Sequence, residues 1–216
     1  MSKGSILAAV CLWGAFAFAQ NVKAHVDPGQ ASQKTSPTVT FTLNFPNYKP
    51  PFYSISVQSA GRAEYKSTPE PNGVGDPYVV KFVVSEATRT RLFDAARQLN
   101  YFDGDWEYTK NRVAFTGTKT LTFKNSEQEH TTSYNWSENP TVQEATAIFQ
   151  NIAEALELGR QLEDKYRYDK LGVDAILKIL EQDAKDKRVA ELQAIQPILF
   201  RVAKDPSLMN ISRRRW

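Results

Sequence analysis

From Val39 to Phe45 every second residue is apolar: Val39, Phe41, Leu43 and Phe45 alternate with Thr40, Thr42 and Asn44. Only an extended strand gathers such a set on one face, because successive side chains point to opposite sides. A strand dry on one face and wet on the other belongs to a sheet with a single covered face. The rest of the chain must therefore supply partner strands and a layer to cover them.

The partners follow in order. Residues 52–58 place Tyr53, Ile55 and Val57 on one face, Gly61 sits in the turn at 59–62, and residues 63–66 return. Residues 67–77 hold three prolines and two glycines and read as a loop. Residues 78–84 are dense in Val and Phe and are expected to form a strand buried on both faces. Ser85 then caps a helix over 86–99 with Leu92, Phe93, Ala96 and Leu99 along one stripe. Residues 119–124 and 129–136 form a second hairpin around 125–128. Asn139 and Pro140 open a long helix reaching about residue 166, with Val142, Ala145, Phe149, Ile152 and Leu156 recurring every three or four positions. Helices are expected over 172–184 and 188–204, the second kinked or restarted at Pro197. Strands followed by helices predict an α+β fold: an antiparallel sheet of about six strands packed against helices, with a C-terminal helical extension. The expected organisation is a leader at 1–19, a polar lead-in at 20–37, the α+β domain at 38–167 and the extension at 168–216.

The leader has the three parts of a secretory signal: Lys3, an uncharged apolar run from Ile6 to Phe18, and small residues flanking Phe18. The run is too short for a bilayer-spanning helix, which takes about 20 residues. Cleavage after Ala19 would remove Cys11, the only cysteine among 216 residues. Lipidation of Cys11 is the weaker alternative, since Val10 stands where a small residue is needed. The expected mature chain is extracytoplasmic, periplasmic or secreted, and it has no transmembrane segment and no disulfide. A formal net charge of +3 is too small and too scattered to imply nucleic acid.

The stretch from Tyr53 to about Leu158 resembles a family of bacterial secreted or envelope domains that has no assigned activity. The residues carrying the resemblance are Tyr53-Ser-Ile-Ser-Val57, Gly61, Tyr65, the helix Leu92-Phe93-Asp94-Ala95-Ala96 running into Tyr101-Phe102, Leu121-Thr-Phe123 and the helix from Pro140. An aspartate common in such domains before the second hairpin has no counterpart near 112–118. The resemblance implies an envelope domain of unknown function and transfers no catalytic residue.

No residue set makes a strong case for catalysis. His25 falls in the lead-in, too far from Gln20 for an amino-terminal copper site, and His130 lies on a strand beside Thr132, Tyr134 and Trp136. Asp103, Asp105 and Glu107 share a loop that lacks the frame and closing glutamate of a calcium loop. Glu163, Asp164, Glu181, Asp183 and Asp186 are spaced like solvent faces of helices. No Gly-x-Ser-x-Gly occurs, and Gly73-Val74-Gly75 leads into a strand rather than a phosphate-binding helix. Aromatics are the better lead. Tyr134 and Trp136 are expected to fill the core, whereas Trp106 and Tyr108, with Asp103 and Asp105, form the candidate binding surface. Arg213-Arg214-Arg215-Trp216 reads as a basic tail. No cofactor or metal is implied. The expectation is a non-catalytic protein that binds another protein or a cell-surface polymer. A carboxylate-dependent hydrolase of envelope carbohydrate or peptide is one alternative, and a subunit docking through its C-terminal helices is another.

Overall fold

The computed structural model describes residues 36–68 and 76–213. The expected signal segment with Cys11, His25, most of the lead-in, Gly73-Val74-Gly75 and residues 214–216 lie outside the described residues. The element order is β1 (Thr38–Asn44), β2 (Phe52–Gln58), β3 (Arg62–Thr68), β4 (Tyr78–Val83), α1 (Glu86–Gln98), β5 (Thr118–Lys124), β6 (Glu129–Tyr134), α2 (Pro140–Tyr168), α3 (Val173–Lys185), α4 (Gln196–Lys204) and α5 (Asn210–Arg213). The strands form one sheet in the order β4-β3-β2-β1-β5-β6, every pairing antiparallel. The fold is α+β.

The alternation in β1 fixes which face is covered. Val39, Phe41 and Leu43 are buried, and the register sets Phe41 beside Ile55 on β2 and Leu121 on β5. Burying a side chain of this size contributes about 1.5–3 kcal/mol, so a one-residue slip, which turns the whole set to water, is strongly disfavoured. The opposite face is a lattice of hydroxyls. Thr40 pairs with Ser56 at 3.1 Å, Thr120 with Ser133 at 2.9 Å and Thr122 with Thr131 at 2.9 Å. β4 differs from expectation. It is an edge strand, with Tyr78, Val80 and Phe82 packed toward the core while Val79, Lys81 and Val83 are exposed. Its run of Val and Phe suggests double burial, but nothing among the described residues covers the outer face, and Lys81 is the residue that marks it as wet.

α2 is the central element of the helical side. Asn139 Oδ1 accepts from Thr141 N at 2.9 Å and Val142 N at 3.2 Å, satisfying two orphan amides of the first turn. The stripe from Val142 to Leu156 lies on the sheet, with Phe149 stacked on Phe41 at 5.2 Å. α2 also buries Ala155, Leu158 and Leu162. The C-terminal helices share its hydrophobic core through Val173, Leu177, Ile198 and Val202. At Gly159 the approach is so close that an added Cβ would lie 2.4 Å from Ile195 Cγ2.

The helix expected from residue 188 starts later. Lys187 and Glu191 adopt left-handed conformations, a 3-10 turn spans Leu192–Ile195, and α4 begins at Gln196 with Pro197 in its first turn. Glu191 departs from the helix because its carboxylate caps α1. It accepts from Ser85 N at 2.7 Å, Ser85 Oγ at 2.8 Å and Thr88 Oγ1 at 2.5 Å.

Candidate functional site

The residues singled out by sequence gather around one loop, away from the cleft that α2 lines. Asp105 Oδ1 accepts from Glu107 N at 3.0 Å, closing a local turn, and Asp103 lies 3.8 Å from His130 Nδ1. Trp106 is half-buried, its ring over Gly104 and against the core. Tyr108 meets Trp136 edge-on at 4.8 Å, and its amide donates to Trp136 O at 2.9 Å. The expectation for the second hairpin divides. Tyr134 is buried with its hydroxyl 2.5 Å from Thr146 Oγ1, whereas Trp136 lies beyond the end of β6 and is 40% exposed. Among the described residues no group of three or more His, Cys, Asp or Glu could hold a metal ion.

A cleft of about 630 Å³ opens elsewhere, between the β1–β2 connection and α2. Phe45, Tyr48, Pro50 and Tyr53 form one wall, Gln150, Glu154, Glu157 and Gln161 of α2 another, and Asp183 with Arg188 close one end. Phe45 and Tyr48 stack at 6.1 Å, with Phe115 edge-on to Phe45 at 5.8 Å. Gly117 makes this packing possible. It has φ +95, and a Cβ there would lie 2.7 Å from Phe45 Cβ.

Three carboxylates meet the cleft, and their surroundings differ. Glu157 is 6% exposed and engaged on both oxygens: Oε1 accepts from Tyr65 Oη at 2.6 Å and Ser67 Oγ at 2.7 Å, while Oε2 accepts from Arg160 Nε at 2.7 Å. Burial, followed by the Glu157 charge, holds the Tyr65 phenol well above its ordinary pKa, so its proton stays in place as the donor. Asp183 is paired with Arg188 at 2.5 Å. It is buried, although its spacing reads as a solvent face, because the chain after α3 folds Arg188 back over it. Glu154 is half-buried and lines the cleft beside Tyr48. Burial raises its pKa, the charges of Asp183 and Glu157 raise it further, and Arg188 opposes them in part. An acid shifted upward inside a cleft by desolvation and like charges is a physical signature of a functional site. With a stacked aromatic pair beside it, it offers hydrogen-bonding and ring contacts to a bound group.

Sequence reasoning missed Tyr48, Glu154 and Glu157. One signal was present: Ser67 falls at an inward position of β3, and a buried hydroxyl needs a partner. No protein-family model matches the chain, and no curated protein matches it either. No described helix is long and apolar enough to cross a membrane.

Proposed function

We propose that this is a non-catalytic extracytoplasmic binding protein, and that its cleft receives a segment of a partner protein or of a cell-surface polymer. The observation carrying this reading is the division of labour among the three acids. Glu157 and Asp183 are held by internal partners, while Glu154 carries a charge that its surroundings oppose, beside the exposed Tyr48 ring. The signal-like leader and the resemblance to secreted envelope domains support the location. Co-sedimentation with insoluble cell-wall polymer, and pull-down of envelope proteins, test it. Tyr48→Ala and Glu154→Gln should each reduce retention about five-fold or more, a loss of roughly 1 kcal/mol, while Trp106→Ala and Tyr108→Ala leave it unchanged. Retention lost only in the loop variants would move the site back to Asp103, Asp105, Trp106 and Tyr108.

The raised Glu154, with Asp183 lining the same cleft, also favours a second reading, a carboxylate-dependent hydrolase in which one acid donates a proton and the other acts as base. Release of reducing ends or peptide fragments, abolished in Glu154→Gln, would establish it over the binding reading.

A further inference from the structure

The two edges of the sheet are finished differently. At the β6 edge the loop after α1 lies across the strand's end. Tyr108 N donates to Trp136 O at 2.9 Å, and Asn135 N donates to the Glu107 carboxylate. At the β4 edge the strand pairs, among the described residues, with β3 alone. Beyond that pairing, its backbone receives one hydrogen bond from the described residues, from Gln193 Nε2 to Val83 O at 3.3 Å. An edge left in this state presents a row of amides and carbonyls that an extended chain can complete.

The side chains on this edge specify what such a chain would carry. On the outer face β4 presents Val79, Lys81 and Val83, with Val79 42% and Val83 63% exposed. The Lys81 side chain is 80% exposed, and its nearest carboxylate, Glu64, lies 3.8 Å away while already paired with Lys66 at 2.7 Å. A groove of about 530 Å³ runs beside it on the same face, with Arg62 as a second cation at its rim. That groove shares no lining residue with the Glu154 cleft.

We propose that β4 is an acceptor strand for an extended segment of a partner protein that sets an acidic side chain opposite Lys81, flanked two residues away on each side by apolar ones. Cross-strand pairs of opposite charge and of β-branched residues stabilise such a pairing, and like charges oppose it. A second copy of β4 fits worse, because self-pairing about its centre brings Lys81 close to its own copy.

The test uses the full chain with two capped peptides, Thr-Val-Thr-Glu-Thr-Val-Thr and the same sequence with Lys for Glu. Hydrogen exchange and amide shifts are read on wild type and Lys81→Glu. The proposal expects the Glu peptide to protect β4 amides in wild type. It also expects the preference between peptides to swing about ten-fold in Lys81→Glu, an exposed change that sets a second acid opposite Glu64 and lowers the melting temperature by no more than a few degrees. Either of two results would overturn it: no protection of β4 by either peptide, or a preference unmoved by the charge reversal. Protection of β4 in the free protein together with a dimer in sedimentation would overturn it in favour of self-pairing.

Discussion

Glu154 and Glu157 sit three residues apart on one helix and meet the same cleft, yet they are held in opposite ways. Glu157 accepts two hydroxyls from β3 and one guanidinium, so its charge ties the helix layer to the sheet. Glu154 has Tyr48 beside it, two neighbouring carboxylates and partial burial, so its charge is disfavoured where it stands. The contrast teaches that an acid's role here follows from its partner set rather than from its residue type or helix position. One carboxylate is structural, and the proposed function assigns the other to what enters the cleft.

The comparison can be broken most forcefully at Glu157. Glu157→Ala leaves Tyr65 and Ser67 buried without an acceptor and should destabilise the protein by about 3 kcal/mol in denaturant unfolding. Two residues further along α2, Gly159→Ala forces a methyl against Ile195. It should cost about 1–2 kcal/mol despite the better helix propensity of alanine. Tyr65→Phe removes one of the three donors to Glu157 and should cost about 1 kcal/mol.

The pH dependence sharpens the contrast. Because the folded protein holds the Glu154 proton more tightly than the unfolded chain does, stability at that site is complete at low pH. It declines as pH rises from the ordinary glutamate range through the raised value. Glu154→Gln should therefore raise stability slightly at pH 7, with the gain vanishing as pH falls through the ordinary glutamate range. Glu191 runs the other way. Burial pushes its carboxyl up, but the hydrogen bonds from Thr88, Ser85 and Gln193 outweigh burial and hold it below the ordinary range. Its contribution is present above the ordinary glutamate range and is lost as pH falls through the lowered value. Glu191→Gln should thus flatten the acid limb of the stability–pH profile, whereas Glu154→Gln should remove a decline toward neutral pH.

Local periodicity made much of this fold legible. The alternation in β1 and β2, the cap at Asn139 and the stripe on α2 are written in neighbouring residues, and the structure places them accordingly. What stayed hidden depends on residues far apart. β4 is an edge because of where the sheet ends, which a six-residue pattern does not encode. The break before α4 exists because Glu191 reaches Ser85, 106 residues away. The cleft was hidden for the same reason. Tyr65 and Ser67 meet Glu157 across 92 and 90 residues, and Asp183 is buried by Arg188 only after the chain turns. The packing of the loop aromatics is equally non-local: Trp106 packs against the core, and Tyr108 meets Trp136 from beyond the end of β6.

The division between the two glutamates is tested most directly by urea unfolding at pH 7 of Glu154→Gln and Glu157→Gln beside the parent protein. Glu157→Gln should lower the unfolding free energy by about 2 kcal/mol, because the new amide faces Arg160 with a donor. Glu154→Gln should leave the unfolding free energy unchanged or slightly higher. Equal losses in both variants, or a larger loss in Glu154→Gln, would contradict the account.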